Sequence, residues 1–241
     1  MRLLLINPNT SQATTQRLQT HLAPLLPPAV QLQCATACFG APYIACEASY
    51  AVAAHALLDA WAAEHARQPA DRVLIGCFGD PGLWALREAA QVPVTGLAEA
   101  SFVQAARRGP FAVVTGGERW APMLRRLAAS LGMADALRHI ETVSATGAQL
   151  QAEPALAQQV LLPACKRAAS QGVQSVIVGG AGLAGLAQVL QPQIALPLID
   201  STVAGLEEVL RWPVPEAGRA PGFVTPWQGL SAPMGQLALP S

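Results

Sequence analysis

The stretch VLIGCFGDPGL, Val73 to Leu83, returns in altered form later in the chain as VIVGGAGLAGL, Val176 to Leu186. Cys77, Gly79, Gly82 and Leu83 align with Gly180, Gly182, Gly185 and Leu186 at one constant offset. Each copy is a run of branched apolar residues, then a glycine-rich turn, then a helix-forming segment. That arrangement ends a parallel strand in backbone N–H groups able to face an anion. The copies differ at a position able to carry proton chemistry, Cys77 in the first and Gly180 in the second. Two matched turns in one chain predict a site with two sides.

The repeat extends beyond these turns. Pro93 matches Pro197 after a one-residue slip, and LLLINPNT and FAVVTGGE hold equivalent places, so that Asn7 corresponds to Thr115. Strand-like apolar runs fall at Leu3 to Ile6, Val30 to Cys34, Arg72 to Ile75, Phe111 to Val114 and Ser175 to Val178, with shorter ones at Pro93 to Thr95, His139 to Val143 and Pro197 to Ile199. Longer stretches of helical character separate them, which predicts an α/β fold with mainly parallel sheets. The expected architecture is two pseudo-symmetric α/β lobes flanked by helices, residues 1–100 and 101–200, with the active-site cleft between them. In residues 201–241, a helix from Thr202 to Arg211 is expected to return to the first lobe. The proline- and glycine-rich tail after Trp212 reads as an irregular cap or extended arm.

Composition narrows the class. Lysine plus arginine equal aspartate plus glutamate at 15 each over 241 residues, and no basic track stands out, which argues against nucleic acid as a partner. The apolar start of MRLLLINPNT is too short for a signal peptide and no run is long enough for a membrane span, so a cytoplasmic protein without membrane contact is expected. Five cysteines lack paired metal-binding spacing, and His21, His55, His65 and His139 are scattered. Neither a disulfide framework nor a metal site is therefore expected. Cys34, Cys38, Cys46 and Cys165 read as packing residues.

Cys77 is the sharpest candidate for chemistry. It sits where a strand hands over to a turn and helix, and a helix N-terminus favours thiolate. A small buried hydrophobe is the competing reading. Around it, backbone N–H groups of Phe78, Gly79, Ala181 and Gly182, with Thr115, Gly116, Gly180 and the side chain of Asn7, are expected to bind a carboxylate or carbonyl oxygen. Asp80, Asp200 and Glu99 read as cap or turn carboxylates. No lysine or arginine adjoins either glycine turn, which favours a neutral ring or a single carboxylate over a dianion; Arg87 or Arg119 would have to fold in from a distance.

The motifs INPNTS (Ile6 to Ser11), GCFGDPGL (Gly76 to Leu83), PVTGLAEAS (Pro93 to Ser101), VVTGG (Val113 to Gly117) and VIVGGAGLAGL with its following PLID resemble the aspartate/glutamate/hydantoin racemase superfamily, nearest its hydantoin and allantoin racemase branch. The resemblance implies a cofactor-independent isomerase of homo-oligomeric habit, acting on a small carboxylate or cyclic amide. It also implies two cysteines facing the substrate's α-carbon, one per lobe. Cys77 matches the first, whereas Gly180 stands where the second would be and cannot carry a proton. Three readings follow. Another side chain or a water is the second acid of a racemase or epimerase, the lone thiol protonates a carbanion in a decarboxylase of the arylmalonate type, or the cleft binds a small acid without turning it over.

Overall fold

Runs such as Leu3-Leu4-Leu5-Ile6 and Val176-Ile177-Val178 carry no polar alternation because they are buried on both faces, as strands of parallel sheets covered by helices are. The computed structural model describes residues 1–145, 147–213 and 227–237. Its first sheet contains β1 (Arg2–Asn7), β2 (Gln31–Thr36), β3 (Arg72–Ile75) and β4 (Val94–Gly96) in the order β2-β1-β3-β4. The second contains β5 (Phe111–Gly116), β6 (Leu137–Val143), β7 (Ser175–Gly179) and β8 (Leu198–Asp200) in the order β6-β5-β7-β8. Every neighbouring pair is parallel. All the expected runs are strands, and the two sheets repeat one topology.

The helices among the described residues are α1 (Gln12–Leu22), α2 (Glu47–Arg67), α3 (Leu83–Ala90), α4 (Leu97–Ala106), α5 (Trp120–Ser130), α6 (Gly147–Ala152), α7 (Pro154–Ala169), α8 (Leu186–Leu190), α9 (Ser201–Arg211) and α10 (Ala232–Leu237). In each sheet the chain leaves the first strand toward one edge and returns to the third strand on the other side. The carboxyl ends of β1 and β3, and of β5 and β7, therefore flank a topological switch point, where connections diverge and leave a crevice.

The last helix of each repeat crosses to the other sheet. Helix α4, following β4, packs on β7, while α9, following β8, packs on β3 and β4, and the two helices lie against each other. One apolar core consequently joins Leu5 and Leu74 of the first sheet, Phe102 of α4, Phe111 and Ile177 of the second sheet, and Leu206 of α9. Arg107 clamps Glu208 across this helix pair with bonds of 2.6 and 3.0 Å. Helix α9 covers the stretch Thr202 to Arg211 and touches β3 and β4 as well as β8.

The tail expected to be irregular falls largely outside the described residues, at 214–226 and 238–241. Its described part contains α10, packed on α2 with Met234 buried. Ser231 caps this helix by accepting the Met234 N–H at 3.4 Å, and Pro233 fits the first turn, where its missing N–H costs nothing. No helix among the described residues is long and apolar enough to cross a membrane.

Candidate active site

The ends of β1, β3, β5 and β7 surround a cavity of about 450 Å³. Cys77 and Phe78 enter it from the turn after β3, Thr115 and Gly116 from the end of β5, and Gly180, Ala181 and Gly182 from the turn after β7. The structure thereby brings both halves of the repeat to one cavity.

Asn7 and Gly79 depart from the sequence expectation. Neither lines the cavity. Asn7 is fully buried, and its Nδ2 donates to Asn9 Oδ1, the Ser11 carbonyl and Thr15 Oγ1 while its Oδ1 accepts the Asn9 N–H. These bonds hold the loop after β1 in shape and occupy the amide hydrogens of Asn7 inside the wall. Asn9 takes the cavity position instead. Its Oδ1 is spent on Asn7 and on the Ser11 N–H, so its Nδ2 is the group left to donate. Gly79 is drawn into the wall, where its carbonyl accepts Tyr50 Oη at 2.7 Å and its α-carbon abuts the Trp120 ring. A Cβ there would stand 2.3 Å from that ring, which explains the glycine better than ligand contact does.

The thiol of Cys77 also differs from expectation. Helix α3 begins only at Leu83, beyond a turn in which Asp80 adopts φ 53°, so Cys77 gains little from that helix's N-terminus. It is 7% exposed, and burial, reinforced by the neighbouring Asp80 charge, pushes the thiol far above its usual range. Burial thus favours the thiol form of Cys77 over the thiolate. Asp80 is a cap carboxylate, as expected. It accepts the Ala98 and Glu99 N–H groups of α4 at 2.9 and 2.7 Å, yet burial pushes it up to about 7.

Across the cavity, Gly180 adopts φ 149° and ψ 134°, a backbone region reserved in practice for glycine. Its N–H donates to Ser201 Oγ at 3.2 Å, and a Cβ at this position would meet the Leu183 side chain at 3.2 Å. Ala181 and Gly182 begin a single 3-10 turn, so their N–H groups have no acceptor inside it. With that of Phe78, these N–H groups have no backbone partner among the described residues. Behind them, Gly179 accommodates the Phe78 ring, which would lie 2.2 Å from a Cβ.

Several cavity residues escaped the sequence reading. Tyr43 and Ile44 arrive from the connection between β2 and α2, Thr14 and Arg17 from α1, and Trp120 from α5. The signal for α1 was available, since Thr14 and Arg17 follow the INPNTS motif on one helix face. Nothing local distinguishes Tyr43. Arg17 supplies the cation that the glycine turns lack. Arg87, by contrast, is held between the Trp84 and Trp212 rings and paired with Glu99 at 2.6 Å, and Arg119 is exposed. No carboxylate lines the cavity among the described residues, and no three His, Cys, Asp or Glu residues form a group able to hold a metal ion. Of the other cysteines, Cys34 and Cys165 are packing residues whose thiols burial pushes up to about 11 and about 12, whereas Cys38 is exposed and Cys46 precedes α2.

Comparison with known proteins places this geometry. A hydantoin racemase from Pseudomonas sp. (strain NS671) is 34% identical over 139 residues, 57% of this chain and 56% of that protein. One from Paenarthrobacter aurescens is 30% identical over 210 residues, 85% and 87% of the two chains. The structure of allantoin racemase from Klebsiella pneumoniae superimposes with a TM-score of 0.87 at 30% identity, covering 98% of both chains. The family model for Asp/Glu/Hydantoin racemase matches residues 3–209. The chain, with its two four-stranded parallel sheets and shared cavity, belongs to the Asp/Glu/Hydantoin racemase family and is an enzyme of the isomerase class.

Proposed function

We propose that this protein is a cofactor-independent racemase or epimerase that moves a proton at the carbon next to a carboxylate or ring carbonyl, with a hydantoin-like cyclic amide as the leading substrate class. The observation that carries this reading is Cys77, the one thiol among the described residues of a small cavity that no described carboxylate lines and that peptide N–H donors border. Breaking a C–H bond beside a carbonyl develops negative charge on oxygen. The N–H groups of Phe78, Ala181 and Gly182, with Thr115, Asn9 Nδ2 and Arg17, are suited to receive it. Gly180 and Gly116 give the ring room to approach the backbone. Residues 1–100 and 101–200 serve as the two lobes, with helix α9 returning to the first, in a cytoplasmic homo-oligomer.

Incubation in D2O with single enantiomers of 5-benzylhydantoin, allantoin and amino acids tests the reading. Deuterium at the α-carbon with inversion, lost in Cys77→Ala, is the expected result; absence of exchange from every member would overturn it. One observation favours a second reading. A buried thiol that shares its cavity with a glycine in place of a second thiol suits one-sided protonation of a carbanion, as in a lyase of the arylmalonate type. Release of CO2 from phenylmalonate, with no inversion of the hydantoin, would decide for that alternative.

A further inference from the structure

We infer that Tyr43 is the second proton-transferring group, its phenol serving the face of the substrate opposite Cys77. The inference rests on the proton-transfer reading above and says which side chain completes it. A racemase needs a group that can gain and lose a proton on each face of the α-carbon, and Gly180 provides none. Among the described residues lining the cavity, the titratable side chains are Cys77, Tyr43 and Arg17. A guanidinium is not a proton-transferring acid or base in proteins, which leaves the phenol.

Its position fits the task. Tyr43 departs from the first lobe, in the connection after β2, but its hydroxyl docks on the second. Oη donates to the Gly116 carbonyl at the end of β5 at 3.2 Å, and lies 3.5 Å from the Gly147 N–H. Gly147 in turn abuts the turn after β7, its carbonyl 2.6 Å from where a Gly182 Cβ would stand. The phenol therefore belongs to the same wall as Gly180. Cys77 enters the same cavity from the end of β3. Burial pushes the phenol above its usual range, and a tyrosinate formed there would keep the Gly147 N–H as a donor.

The protons balance as follows. The reacting site holds one proton fewer than the resting one, that proton having gone to solvent. In one direction the Cys77 thiolate takes the α-proton: the C–H bond breaks, S–H forms, and the electron pair moves onto the carbonyl oxygen among the N–H donors. Tyr43 O–H then donates to the opposite face, a new C–H bond forms, and tyrosinate remains. The reverse direction starts from tyrosinate and protonated Cys77. Solvent exchange returns the pair to its starting form, and nothing is consumed.

Tyr43→Phe separates this role from simple closure of the loop. Each enantiomer of 5-benzylhydantoin and of allantoin is incubated in D2O with wild type, Tyr43→Phe and Cys77→Ala, following deuterium incorporation and inversion separately, with thermal unfolding as a control for folding. Loss of one proton-transfer group typically costs about 10²- to 10⁴-fold. In folded Tyr43→Phe, inversion is expected to fall by that factor, while the enantiomer whose α-hydrogen faces Cys77 still exchanges with retention. Cys77→Ala should lose that exchange. Inversion by Tyr43→Phe at the wild-type rate would overturn the assignment. So would equal loss of exchange and inversion, which would make the phenol a structural latch. Wild type that neither exchanges nor inverts any probe would instead sink the proton-transfer reading, and the role of Tyr43 with it.

Discussion

The two glycine turns solve one structural problem with opposite chemistry. Each must be tied to the helix that follows the fourth strand of its sheet. In the first lobe the carboxylate comes from the turn, where Asp80 accepts the Ala98 and Glu99 N–H groups of α4. In the second it comes from the end of β8, where Asp200 accepts the Thr202 and Val203 N–H groups of α9 and reaches back to the Gly185 N–H at 2.7 Å. At the repeat offset, Leu183 occupies the place of Asp80. One lobe thus sets a buried acid beneath a thiol, and the other sets an apolar side chain against a bare glycine. A shared topology has preserved the tie while leaving a single thiol in the cavity.

Removing the thiol is the most severe way to break this asymmetry. Cys77→Ala should lower α-proton exchange by about 10²- to 10⁴-fold while leaving thermal unfolding nearly unchanged, as the change in volume is small. Exchange at the wild-type rate would show that the thiol is only packing.

The next largest effects concern the close approach of the lobes. Gly79→Ala would drive a methyl into Trp120 from a backbone at φ 144°, and Gly179→Ala would drive one into Phe78. Each should destabilise by about 1–3 kcal/mol through overpacking, with a further cost of about 1–3 kcal/mol for the backbone at Gly79. Chemical denaturation measures both, and Gly79→Ala should be the worse. Equal losses would mean that the backbone at Gly79 relaxes.

Adding the missing thiol sharpens the comparison. Gly180→Cys places a side chain on a backbone at φ 149°, at an expected cost of about 1–3 kcal/mol and with no gain in inversion of 5-benzylhydantoin. A faster inversion at undiminished stability would show that this turn can readopt a two-thiol geometry.

The smallest effect is one of pH. Asp80 is pushed up to about 7 from its ordinary 3.8, so between those values the folded chain holds a proton that the unfolded chain has released. Its contribution to stability is therefore full below the lower value and is lost as pH rises through the interval. Asp80→Asn has no such slope. The melting temperature of wild type relative to the variant should accordingly fall from pH 4 to pH 8, and a constant difference would show that the carboxyl is ionised throughout.

Much of this was legible in the sequence because it is local. Continuous apolar runs mark parallel strands, and the repeat of VLIGCFGDPGL in VIVGGAGLAGL reports two lobes whose strand ends converge. Asp200 was readable as the cap of α9 for the same reason, being a short polar side chain at a strand-to-helix boundary, whereas the helix that Asp80 caps, α4, lies 18 residues further on. The residues misplaced or missed depend on contacts between distant segments. Asn7 sits in the right motif, yet Thr15 on the next helix claims its amide. Gly79 looks like its counterpart Gly182, but Trp120 covers it.

By itself, then, the sequence determined the α/β class, the parallel strands, the pairing of the two turns and the lone thiol on them, since each depends on periodicity or identity over a few residues. Only the tertiary structure decided that Tyr43 reaches the far wall, that Arg17 lines the cavity and that Cys77 is buried. These depend on which distant groups share a desolvated space, and burial and distance cannot be read from order along a chain.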